Sequence, residues 1–199
     1  MYSVIRRYQG DPTALAELAR RIGESAHDRI ATIPGFVAYA AGVDGKGVFI
    51  TFGTYDDQAG ASESTRRAAA WVRENASDLQ INPPTVTEGE TRLRKVVSTV
   101  VPTHGVIRRY QVDPANVDEI VRRANEGFVP LITQSPGLAT YSIVAGSNGV
   151  CATASSFATR EQAEGSVTLA ASWIKANLAP LMPNPPEVTG VTIKVFWRK

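Results

Sequence analysis

The hexapeptide VIRRYQ occupies Val4–Gln9 and returns at Val106–Gln111. Each time Asp-Pro follows one residue later, at Asp11-Pro12 and Asp113-Pro114. Sliding the chain by 102 positions aligns its halves without a gap, and roughly 31 of 96 aligned positions are identical. The agreement runs along the whole length. Pro34-Gly35 meets Pro136-Gly137, Tyr39 meets Tyr141, Trp71 meets Trp173, and Asn82-Pro83-Pro84 meets Asn184-Pro185-Pro186. One unit of about 100 residues, an ordinary domain size, is therefore used twice. The expected organisation is repeat 1–97, linker 98–103 and repeat 104–199.

Each unit reads as strand, helix, strand, strand, helix, strand. Ser3–Gln9 is rich in branched and aromatic residues, a strand pattern. Asp11-Pro12 is a helix start, with a capping side chain followed by proline in the first turn. Leu15, Leu18, Ala19, Ile22, Ala26 and Ile30 keep a helical stripe until Pro34-Gly35 stops it. Phe36–Val43 and Val48–Tyr55 form a hairpin across Asp44-Gly45. A second helix covers about Gln58 to Ala76, and Thr85 to about Val97 is the last strand. A βαββαβ unit with right-handed crossovers gives an antiparallel ferredoxin-like sheet with both helices on one face. The other face should then be polar. Instead, Val48, Ile50 and Phe52 point one way and Phe49 and Tyr55 the other, while Phe36 and Ala38 oppose Val37 and Tyr39. Both faces need cover, and the second copy's sheet is the available cover for the first. The expected class is α+β, two ferredoxin-like repeats closing an intrachain pseudo-dimeric α/β barrel, a monomer free to oligomerise further.

Composition narrows the function. Twenty-one basic and 19 acidic residues leave a net charge of only +2, with no basic patch for a phosphate backbone, so nucleic acid is not expected as a partner. No apolar run approaches the roughly 18 residues of a membrane span, and MYSVIRRYQG lacks a signal-peptide core. The single cysteine, Cys151, fits a reducing, cytoplasmic setting. His27 and His104 are unrelated single histidines, not a metal set. No phosphate loop or nucleophile elbow is present.

The repeated VIRRYQ-x-DP opening, the IPGF and SPGL turns, and the segments ASESTRRAAAWVREN and AEGSVTLAASWIKAN resemble the dimeric α/β-barrel superfamily, most closely its antibiotic biosynthesis monooxygenase branch. The resemblance covers nearly the whole chain. It implies a barrel with ligand cavities between sheet and helices. It also implies a cofactor-independent monooxygenase acting on a small aromatic or quinol-like molecule, with no cofactor and no metal. The alternative is a non-catalytic barrel that binds a small hydrophobic ligand or is purely structural. The haem-degrading members pair Asn and Trp with a helical histidine, and the second helix here has none.

The candidate pocket residues follow the repeat. On the second helix Ala61/Ala163, Ser64/Ser166, Ala68/Ala170, Trp71/Trp173 and Asn75/Asn177 are shared and fall within an arc of about 80°. They either pack the helix on the sheet or leave a space faced by Trp71, Asn75, Trp173 and Asn177. Tyr39 and Tyr141 are candidate phenol partners on strands. Of the adjacent pair Arg6 and Arg7, one must pass along a covered face, as must one of Arg108 and Arg109. Arg6 and Arg108 enter the candidate list with that choice open. Glu88 and Glu90 on the neighbouring strand are placed to neutralise the first copy's arginine. Their counterparts are Gly190 and Thr192, so either the arginines lie at the strand end and reach water, or an anion or enolate site lies in the second half only.

Overall fold

The computed structural model describes the whole chain, Met1–Lys199. Its strands are β1 (Tyr2–Gln9), β2 (Phe36–Val43), β3 (Val48–Tyr55), β4 (Thr85–Val96), β5 (His104–Gln111), β6 (Leu138–Gly146), β7 (Val150–Phe157) and β8 (Glu187–Arg198). They form a closed antiparallel barrel in the order β1-β3-β2-β8-β5-β7-β6-β4. The compact units are Met1–Glu90 with Val191–Lys199, and Thr91–Gly190. No helix is long and apolar enough to cross a membrane.

In the first unit β1 lies between β3 and β4, the ferredoxin-like order. Arg6 stands opposite Thr51 on one side and Val86 on the other. The first helix, α1 (Pro12–Ser25), starts where the Asp11 carboxylate accepts the Ala14 N–H at 2.9 Å. It buries Leu15, Leu18, Ala19 and Ile22. The stripe predicts one helix through Ile30, but the chain breaks at Ala26 (φ −93°, ψ −8°) and resumes as α2 (His27–Ala31). Gly23 and Ser25, both poor helix formers, weaken the last turn before the break. Ile30 stays buried, so the apolar stripe outlives the hydrogen-bond ladder.

Strict alternation puts Phe36 and Tyr39 on opposite faces of β2. The structure puts both in the helix-side core, because the register against β3 slips between Phe36 and Ala38. A bulge adds one residue and reverses the sidedness of the strand beyond it. The second long helix, α3 (Gln58–Asn75), is capped by Asp57 and buries Ala61, Ser64 and Trp71. Leu15, Leu18, Phe49, Tyr55 and Trp71 fill the layer between helices and sheet. On the opposite sheet face Ile5 and Ile50 are buried as well, and the Ser3 and Thr54 hydroxyls meet at 3.1 Å. Both faces are sealed, as the unalternating strands predict.

The second unit repeats the registers, with Arg108 opposite Thr153, but builds its first helix differently. A 3-10 turn at Pro114–Asn116 leads into α4 (Val117–Arg123), a wider π-helical stretch Ala124–Phe128, and α5 (Val129–Ile132). The wide turn comes just before Pro130, which has no N–H to continue the regular ladder. The last helix, α6 (Arg160–Asn177), opens with a capping box. Thr159 accepts from the Gln162 N–H, while the Gln162 side chain accepts from the Thr159 N–H.

One glycine is fixed by a close approach. A Cβ added at Gly42 would sit 2.6 Å from the Thr192 carbonyl oxygen and 2.9 Å from Val191 Cγ2. Backbone cannot swing aside as a side chain does. Gly42→Ala is expected to destabilise the protein by about 1–3 kcal/mol, read as a lower urea midpoint at unchanged slope.

Candidate functional site

The chain answers the question of which arginine is buried in the same way twice. Arg6 and Arg108 are each only 2% exposed, and both point to the helix side of their sheets. In the first unit, Arg6 Nη2 donates to Ser64 Oγ at 2.7 Å and Thr65 Oγ1 at 2.9 Å. In the second, Arg108 Nη1 donates to Ser155 Oγ at 3.2 Å and Nη2 to Ser166 Oγ at 2.8 Å. Ser64 and Ser166 pass their own protons to the carbonyls of Ala61 and Ala163, one turn back in the helix. Each guanidinium thus reaches helix carbonyls through hydroxyls.

The expected neutralisation of Arg6 by Glu88 or Glu90 does not occur. Glu88 stands opposite Val4 and accepts instead from Ser62 Oγ at 3.1 Å. The premise that only the second half carries an uncompensated arginine is therefore overturned, since both halves do. A buried cation without a counter-charge is costly. Burial pushes the Arg108 pKa down, and Tyr110 and Tyr141 push it back up.

Between helices and sheet of the second unit lies a cavity of about 30 Å³. Tyr110, Tyr141, Cys151, Thr153 and Trp173 supply its chemistry, and Ile120, Phe128 and Met182 are among its apolar walls. It has room for a water or two but not for an aromatic ring. The first unit has Phe49 where the second has Cys151, and the Phe49 ring packs 5.5 Å from that of Tyr8. Ile22 likewise stands where the second unit has Ala124. The smaller side chains leave the space.

The candidate residues divide accordingly. Tyr141 and Trp173 line the cavity, with Arg108 on the same sheet face, two residues before Tyr110 on β5 and directly opposite Thr153 on β7. The Trp173 ring rests against Gly127 of the π-helical stretch, where an added Cβ would be 2.9 Å from Cζ2, and 5.4 Å from Phe128. Trp71 is instead 3% exposed within the first unit's core, and Tyr39 stacks on Trp197 at 5.0 Å. Asn75 and Asn177 turn back onto their own helices. Both are exposed, and their amides donate to the carbonyls of Trp71 and Trp173 at 2.9 and 2.8 Å. Each amide thus adds a second hydrogen bond to a carbonyl one turn earlier, in the last turns of its helix. Thr153, Phe128 and the serines holding the arginines went unnamed as site residues in the sequence. Identity of Ser64 with Ser166 was the available signal.

All the ionisable cavity groups are held neutral. Burial raises Tyr110 to about 12, with Arg108 partly opposing it. Burial raises Tyr141 further, and lifts the Cys151 thiol to about 11. The site therefore offers phenol, thiol and hydroxyl groups beside a fixed positive charge. This set donates hydrogen bonds to an anion and holds no strong base.

No protein-family model and no curated sequence matches the chain. Solved structures do. An anthrone oxidase-like protein superimposes with a TM-score of 0.71 at 12% identity, over 99% of this chain and 92% of the other. A "putative monooxygenase" from Lactobacillus acidophilus gives 0.75 at 11% identity, over 99% and 95%. A heme-degrading enzyme from Listeria monocytogenes gives 0.52 at 6% identity, over 96% and 99%. At such identities the likeness is one of fold, and it joins the closed eight-stranded barrel in supporting a single conclusion: this chain has the fold of the dimeric α/β-barrel superfamily.

Proposed function

We propose that the second unit binds a small aromatic or quinol-like molecule as its anion and promotes its reaction with dioxygen without a cofactor. The observation that carries this reading is Arg108, a buried guanidinium with no carboxylate, beside neutral phenols and a cavity. Anthrone-type substrates lose a proton to become an electron-rich enolate. Donors fixed around the enolate oxygen lower the cost of that charge in a water-poor site. The enolate then reduces dioxygen, a C–O bond forms, and the resulting hydroperoxide loses water to leave the quinone. Anthrone and O₂ thus balance to anthraquinone and H₂O. The likeness to anthrone oxidase-like and monooxygenase structures supports the reading at the level of fold.

A second reading rests on the size of the cavity. At about 30 Å³ it admits no ring unless a wall residue moves, and a barrel with no reaction would need no such movement. Trp173, half-buried at the cavity edge, is the side chain whose rotation would enlarge it.

Oxygen uptake with anthrone separates the two readings. The native chain should consume one O₂ per anthraquinone formed, above the buffer rate. Arg108→Gln should lower kcat by about 10²-fold or more while far-ultraviolet circular dichroism stays native. No uptake above buffer would sink the oxygenase reading.

Filling the cavity gives an independent check. Cys151→Phe, the first unit's own choice, should abolish binding of anthrone measured by Trp fluorescence. Phe49→Cys in the first unit should leave that binding unchanged.

The pH profile carries a third expectation. With the Cys151 thiol near 11 and Tyr110 near 12, no cavity group titrates between pH 6 and 9. The rate should rise with pH along the substrate's own ionisation. Its midpoint should move when a more acidic anthrone is supplied, and a fixed midpoint would point to a protein base instead.

A further inference from the structure

The two buried arginines are satisfied unequally. In the second unit Ser155 accepts from Arg108 Nη1 and Ser166 from Nη2, leaving only Nε without a partner. In the first unit, the position of Ser155 is Gly53. Arg6 uses Nη2 alone, and its Nε and Nη1 have no protein partner although the residue is 2% exposed. Two further buried polar atoms on the same sheet face, Thr51 Oγ1 and Tyr55 Oη, make no hydrogen bond of good geometry, with the Tyr39 phenol and the Ser64 hydroxyl as their polar neighbours. Native interiors leave few such atoms, and four in one place call for an explanation.

These atoms share one side of one sheet. Thr51 stands directly opposite Arg6, which places their Cβ atoms about 5 Å apart. The Tyr55 ring folds back along its own strand, and its hydroxyl lies 3.1 Å from where a Gly53 Cβ would be. A side chain at position 53 would collide with it. The second unit makes the opposite choice, with a serine at that position and Phe157 in place of the tyrosine. One unit supplies the hydroxyl that completes its arginine; the other has no side chain at that position and lays the Tyr55 phenol over it. Burial raises the Tyr55 pKa, so the phenol stays a donor. Every available hydrogen here belongs to an N–H or O–H, and the only net charge is positive.

We propose that the first unit carries a small monovalent anion, of the halide or nitrate class, bound by Arg6 Nε and Nη1, Thr51 Oγ1 and Tyr55 Oη. One guanidinium matches one negative charge, and the tight packing around Gly53 favours a compact ion. The site is separate from the cavity of the second unit and stands whatever reaction that cavity supports.

The test compares the full chain in sodium bromide, nitrate and gluconate at constant ionic strength. Bromide and nitrate should raise Tm saturably, by about 3–6 °C at tenfold the dissociation constant, and gluconate should not. The double variant Gly53→Ser with Tyr55→Phe imports the second unit's solution and keeps the arginine. Its Tm should no longer respond to bromide. Crystals grown in bromide should show an anomalous peak within hydrogen-bonding distance of Arg6 Nη1, a readout that does not need the variant to fold. Equal Tm values in bromide and gluconate would overturn the proposal. So would a bromide response that survives in the double variant, or ordered water alone at Arg6.

Discussion

A buried guanidinium with no carboxylate beside it is the constraint around which each unit is arranged. Helices seal one side of the sheet from water, and the first strand still sends an arginine into that layer. The arginine can stay only if hydroxyls relay its charge to helix carbonyls. That requirement fixes a serine on the long helix, one turn past the carbonyl it donates to, in both units. It also explains why the small residues of α3 and α6 lie where they do. They bring the helix close enough for a hydroxyl to reach an arginine on the sheet.

The same scaffold then supports two different interiors. In the first unit aromatic rings close the layer, with Phe49 against Tyr8 and Tyr39 against Trp197. In the second, Cys151 and Ala124 give up that volume, and the π-helical stretch sets Phe128 and Trp173 around a small cavity. π-helical turns inside helices occur often at functional sites, because the extra residue re-aims the side chains beyond it. The two units differ in volume at one wall and in hydroxyl supply at the arginine, while their strand registers are alike.

Much of the architecture was legible in the chain. The 102-residue offset, the turn pairs and the Asp-Pro helix starts placed every strand to within a residue or two. Strands without alternation announced two buried faces. The faces of individual residues were less legible. Phe36 and Tyr39 share a face only because of a bulge, and a bulge changes no residue type. The helix break at Ala26 and the π-helical stretch before Pro130 were equally hidden, since the apolar stripe continues through both.

For the site, the sequence by itself determined the inventory: two pairs of adjacent arginines, paired tyrosines and tryptophans, repeated serines, and a cysteine standing where its counterpart is phenylalanine. Those are covalent facts, readable by alignment of the chain with itself. Only the tertiary structure decided that Arg6 and Arg108 are the buried members of their pairs, that Glu88 turns to Ser62 instead, and that Asn75 and Asn177 serve helix ends. Each of those outcomes depends on which side of a twisted, bulged sheet a side chain leaves and on what lies within about 3 Å of its tip. Distances of that kind arise from packing and are not encoded in spacing along the chain.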